Sequence, residues 1–189
     1  MKDKIAVIFP GIGYHTDKPL LYYSKKQAAG AGYRVIEVSY GNFKSGIKGN
    51  ADLMKEAFES ALTQTETILQ NQEFDSDGEL LFISKSIGTV VAAAYEKEHK
   101  LNAKNIYFTP LEDTFGFVKP ESGIVFHGTA DPWAETSVIK SACEKLSLPL
   151  FITEDANHSL EQGVVSRDVE ALALIMDQCE SYLLEKERI

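Results

Sequence analysis

Three polar residues of this chain stand at the ends of apolar runs, where a proton relay could be assembled. Ser86 lies in Leu80-Leu81-Phe82-Ile83-Ser84-Lys85-Ser86-Ile87-Gly88, an apolar run that breaks at a Ser-x-Ser-x-Gly turn into the small-residue helix Thr89 to Ala94. Asp131 closes His127-Gly128-Thr129-Ala130-Asp131, and His158 sits in Asn157-His158-Ser159 after Leu150-Phe151-Ile152-Thr153. A serine hydroxyl is a poor nucleophile at neutral pH, so a neutral imidazole must take its proton as it attacks. That imidazole then carries positive charge, and a carboxylate on its far nitrogen must fix its tautomer and stabilise the cation. A sharp strand-to-helix turn suits the nucleophile, because it holds the hydroxyl clear of the backbone and aims the N–H groups of the helix start at developing negative charge. On this reading Ser86 is the nucleophile, His158 the base, Asp131 the orienting acid, and the Ile87 N–H an oxyanion donor.

The elements that must position these residues follow from hydrophobic period and turn chemistry. Short apolar runs predict strands at Ile5 to Phe9, Tyr33 to Tyr40, Leu80 to Ser84, Asn105 to Thr109, Gly123 to His127 and Pro149 to Thr153. Between them, helices are expected from Pro19 to about Ala29 with Gly30 and Gly32 as its stop, from Ala51 to about Gln70, after Ser86, near Ala134 to Leu146, and from about Ser166 to Glu187. The last helix is expected to bury Val165, Val169, Leu172, Met176, Cys179 and Leu183 as one stripe. Gly41 to Asn50 reads as a loop, Asn71 to Glu79 as a polar turn around Asp77-Gly78, and Pro110 to Ser122 as the longest candidate cover. Strands alternating with helices predict a mostly parallel sheet of about six strands in a three-layer α/β/α sandwich, with ligands at the carboxyl ends of the strands. Ser86, Asp131 and His158 all fall at such ends.

Composition narrows the partners. The chain has 189 residues, 44% of them hydrophobic and 10% aromatic, which supports one domain over residues 1–189 with a large core. A net charge of -9 without an acidic tail argues against nucleic acid and anionic membrane surfaces as partners. Cys143 and Cys179 form no Cys-x-x-Cys or metal-ligand spacing and read as buried thiols of a reducing compartment. The first apolar run is shorter than a signal-peptide core or a membrane span, so a cytoplasmic location is expected.

Taken in chain order, Ser-x-Ser-x-Gly, His-Gly-Thr-x-Asp and Asn-His-Ser-Leu resemble the α/β-hydrolase superfamily, and within it the small capless dienelactone-hydrolase-like or carboxylesterase-like members. The resemblance runs from Ile5 to the last helix. It departs from larger members in lacking two N-terminal strands, from the usual turn in having Ser84 for glycine, and from dienelactone hydrolases proper in having a serine where they use cysteine. What it implies is a catalytic set of Ser86, Asp131 and His158, no large cap, no cofactor and no metal. The implied reaction is hydrolysis of a carboxylic ester or thioester of a small acyl substrate through an acyl-serine, by a monomer or homodimer, with activity rising as the imidazole loses its proton. The family pattern also places a second oxyanion donor in the loop Pro10-Gly11-Ile12-Gly13-Tyr14, at the N–H of Gly11 or Ile12.

Plainer roles compete at each position. Ser86 could cap the following helix, and Asp131, before Pro132, could serve a turn. Asp113 and Asp155 are rival acids. Of the other histidines, His99 suits a helix C-terminus, His127 a packed strand end, and His15 adjoins the oxyanion loop, where it could touch substrate. Tyr14 and Trp133 could wall the substrate pocket or belong to the core. Gly11-Ile12-Gly13 also begins a dinucleotide-binding turn, yet Thr16 stands where its third glycine belongs. The rival from another class of function is a hydrolase-fold protein that binds a small ligand or partner without catalysis.

Overall fold

Period-two alternation along the strands decides which side chains meet which layer. In this computed structural model, which describes residues 3–47, 49–75 and 78–184, β1 (Lys4–Phe9), β2 (Arg34–Glu37), β3 (Glu79–Lys85), β4 (Lys104–Phe108), β5 (Gly123–Gly128) and β6 (Leu150–Thr153) form one sheet in the order β2-β1-β3-β4-β5-β6. Every neighbouring pair is parallel. The crossovers are α1 (Pro19–Gly30), α2 (Ala51–Leu69), α3 (Ile87–Glu98) and α4 (Thr136–Lys145), and α5 (Val165–Leu184) follows β6. On one face Ala6, Ile8, Leu81, Ile83, Ile106 and Phe108 pack under α1 and α5. On the other, Val7, Phe9 and Phe82 meet Val91, Ala92 and Tyr95 of α3 with Ala61 and Leu69 of α2, and Tyr107 and Val125 meet Ile139 and Cys143 of α4. The result is the expected three-layer arrangement, with a fully parallel sheet.

Register brings the loops to one edge. Phe9 pairs with Ser84 and Lys85 with Phe108, so β1, β3 and β4 end level with each other. Gly88 then lets α3 press against the end of β1, since a Cβ there would collide with the carbonyls of Phe9 and Pro10. Gly128 does the same between the last two loops, its missing Cβ leaving room for the Ala156 backbone. The Ala130 N–H donates to the Ala156 carbonyl at 2.9 Å and ties these loops together.

Several expectations are revised. The second strand covers Arg34–Glu37 rather than Tyr33 to Tyr40; at its start the Tyr33 N–H still belongs to the turn after α1, donating to the Ala28 carbonyl at 3.0 Å. The α5 stripe is displaced. Val165 and Val169 are 79% and 60% exposed, while Ile175, Met176 and Cys179 face the core. The start of α5 borders an open cleft with Tyr14, Leu20 and Leu160, which leaves these two valines largely uncovered. The expected end of this helix at Glu187, and Asp77 of the turn before β3, lie outside the described residues. Pro110 to Ser122 contains a short 3₁₀ helix, Glu112–Gly116. Leu111 at its start is buried with Ile87 and Val90, so the segment lies down beside α3.

Candidate active site

Ser86 occupies the single step between β3 and α3 with φ 57° and ψ -127°. For a residue with a Cβ this backbone costs about 1–3 kcal/mol, and such strain persists only where its surroundings fix it. Here they do, since the Ser86 N–H donates to the Phe108 carbonyl at 3.1 Å and its carbonyl accepts from the Thr89 hydroxyl at 2.6 Å. The Ser86 side chain makes no capping bond to α3. Its Oγ instead lies 2.7 Å from His158 Nε2. Ser84, in place of glycine, is fully buried with its hydroxyl 3.3 Å from the Ile106 carbonyl, so a hydroxymethyl fits beneath the turn.

The relay continues through the ring. His158 Nδ1 lies 2.7 Å from Asp131 Oδ2, whose carboxylate is shielded from solvent. Asp131 Oδ1 accepts from the Trp133 N–H at 2.9 Å, so one carboxylate both makes its turn and meets the imidazole. Trp133 stands beside the His158 ring with centroids 5.7 Å apart. Among the rival acids, Asp113 lies on the 3₁₀ helix, and Asp155 is exposed at φ 56° in the turn before Ala156. His99 ends α3 with Nε2 2.7 Å from Glu66, and His127 is buried against the Thr136 hydroxyl at 2.9 Å. Burial lowers the His127 pKa, so it stays neutral inside the sheet end.

The loop after β1 sorts its N–H groups. Gly11 N–H donates to the Tyr14 carbonyl at 3.1 Å and Tyr14 N–H returns to Gly11 at 3.2 Å. Ile12, at the exposed tip, is left with no backbone acceptor among the described residues. Ile87, as the first residue of α3, has no intrahelical acceptor either. Gly11 lies close over the turn, where an added Cβ would come within 3.1 Å of Ser86 Cβ.

Tyr14, for which the sequence leaves a pocket wall and a core role both open, is largely buried and borders a cleft with Leu20, Ser159 and Leu160. It is 7% exposed, its hydroxyl accepts from the Leu20 N–H at 3.1 Å, and burial pushes its pKa up to about 12. An aromatic next to the sheet gains more by entering the core beneath its own loop. His15 is exposed and its Nδ1 accepts from the Asp17 N–H at 3.3 Å, so the structure turns it toward its own loop.

Two residues that sequence reasoning missed converge on the His158 backbone. Lys85 Nζ and Thr109 Oγ1 donate to the His158 carbonyl at 2.7 and 3.1 Å. Thr109 does so from a left-handed backbone, φ 41°, which is rare for a β-branched residue. The available signal was a lysine closing an otherwise apolar strand. Beside Ile87, a cleft of about 420 Å³ opens between α2, α3 and the 3₁₀ segment, lined by Met54, Phe58, Val90, Leu111 and Phe117. Among the described residues no cluster of His, Cys, Asp or Glu could hold a metal ion, and no helix is long and apolar enough to cross a membrane.

No protein-family model and no curated protein matches the sequence. Solved structures do match in fold. Est1E from Butyrivibrio proteoclasticus superposes with a TM-score of 0.70 at 11% identity, covering 97% of this chain and 88% of that one. Esterase 2 from Thermogutta terrifontis gives 0.58 at 20% identity over 97% and 84% of the two chains. A lidless serine hydrolase of the α/β class from Xanthomonas campestris gives 0.57 at 13% identity over 94% and 83%.

Proposed function

We propose that this chain, an α/β-hydrolase fold without a large cap among its described residues, is a serine hydrolase that cleaves a carboxylic ester or thioester of a small acyl substrate. The observation that carries the reading is the unbroken hydrogen-bond chain from Ser86 Oγ through His158 to Asp131. In acylation Ser86 Oγ bonds to the substrate carbonyl carbon while its proton passes to His158 Nε2, and the carbonyl electron pair moves to oxygen. The N–H groups of Ile87 and Ile12 receive that oxyanion, because Gly11 N–H is already committed to Tyr14. Collapse breaks the bond to the alcohol or thiol, which leaves with the proton from His158. Water then repeats the sequence and frees the acid. Asp131 stays ionised throughout and stabilises the imidazolium.

The apolar cleft beside Ile87 supports an acyl group of modest size, since it adjoins the residue whose N–H meets the oxyanion. The description of the Thermogutta neighbour as an esterase and of the Xanthomonas neighbour as a lidless serine hydrolase agrees with this reading. A fluorophosphonate probe tests it directly. Wild-type protein is expected to become labelled on Ser86 and to turn over p-nitrophenyl esters. Ser86→Ala should take no label, and Asp131→Asn should lose roughly 10⁴-fold in kcat. A wild-type chain that resists the probe and cleaves no ester would leave the non-catalytic binding reading in its place.

A further inference from the structure

A lysine seldom gives up its hydration, and Lys85 has done so almost completely. It is 1% exposed, on the strand face shared by Leu81 and Ile83, directly before Ser86. Among the described residues no carboxylate forms an ion pair with it. Its Nζ donates to the His158 carbonyl at 2.7 Å and stands 5.0 Å from the centre of the Tyr14 ring. Its Cδ runs beneath Gly11, where an added Cβ would reach it at 3.4 Å. One side chain therefore touches the backbone of the general base and the loop that carries Ile12, and it is joined covalently to the nucleophile.

We propose that Lys85 is a positioning residue for the proposed reaction, a buried strut that holds the His158 loop against the oxyanion loop. The inference rests on the serine-hydrolase reading. A neutral amine still has N–H groups to donate, so the strut survives deprotonation while the charge does not. When His158 takes the proton of Ser86 it becomes a cation on the residue whose carbonyl Lys85 holds, and a like charge on the buried amine opposes this. The groups facing Lys85 are the carboxylates of Asp131 and Glu161, the neutral phenol of Tyr14, and the backbone carbonyl of His158. Burial outweighs both carboxylates and brings the lysine down to about 7, so its charge is lost within the range where enzymes of this kind operate.

The test combines two variants with a titration that needs no turnover. Lys85→Met removes donor and charge. It should lower kcat roughly ten- to hundredfold through misplacement of His158, with KM nearly unchanged. It should also reduce the acid limb of log kcat/KM against pH from a slope above one to a slope of one. Lys85→Arg keeps a donor that never deprotonates, and should stay slow through pH 9 without the alkaline recovery of wild type. Wild-type kcat and slope in Lys85→Met, or wild-type rates at every pH in Lys85→Arg, would overturn the inference. Should a variant fail to fold, ¹³C-lysine NMR of the wild type decides, with the Lys85 signal expected to titrate near neutrality and in step with the His158 ring. An active wild type whose Lys85 titrates at ordinary lysine pH, independent of His158, sinks the inference alone. Coupled titration in a protein that cleaves no ester sinks the hydrolase reading alone.

Discussion

Ser86 is held where glycine would be more comfortable, and its strain separates stability from chemistry. Replacing it by glycine removes the Cβ from a backbone at φ 57°, and the relief of about 1–3 kcal/mol exceeds the flexibility cost of glycine, about 0.5–1 kcal/mol. Ser86→Gly is therefore expected to unfold at higher denaturant than wild type while losing all ester turnover; a lower midpoint would mean that the turn is not strained. Gly128 behaves oppositely. A methyl group there meets the Ala156 carbonyl, so Gly128→Ala should separate the Asp131 and His158 loops and lower kcat as well as stability. Residue-level reading of the sequence reached Ser86, Asp131 and His158 because each stands at the end of an apolar run. It missed Lys85 because a lysine beside a turn reads as a solvated end, and what buries it comes from Tyr14 and His158, distant in sequence. For Tyr14 the sequence leaves pocket wall and core both open for a similar reason: a loop aromatic carries no mark of which side it will face.

At the scale of elements, the alternation of strands and helices was legible because each crossover carries its own turn signals and each strand its own apolar run. The α5 stripe was not. Its helical period is sound, but the period fixes only which residues share a face, and the neighbouring elements decide how far along the helix that face is covered. Met176→Ala is accordingly expected to cost about 2–4 kcal/mol in chemical denaturation. Val169→Ser should stay within about 0.5 kcal/mol of wild type. Equal losses at the two positions would place the first turn of α5 in the core after all.

For the molecule as a whole, Lys85 links stability to pH. Its folded pKa of about 7 lies below the 10.5 of an ordinary lysine, so between these values the unfolded chain binds more protons than the folded one. Stability then rises with pH. Below about 7 both states are protonated and the burial penalty is felt in full; toward 10.5 it disappears. Relative to Lys85→Met, wild type should gain stability by up to about 1.4 kcal/mol per pH unit between pH 7 and 9. A difference that stays flat across this window would show that Lys85 reaches water. The buried thiols contribute no reactive site, since burial pushes Cys143 up to about 12 and raises Cys179 further.

The chain contains a single tryptophan, Trp133, and it lies against the His158 ring. Indole emission is quenched by a neighbouring imidazolium far more than by neutral imidazole. The protein thus carries its own optical reporter at the point where the proton moves, and its fluorescence can follow His158 gaining and losing charge, or an acyl group arriving on Ser86, without any dye or label.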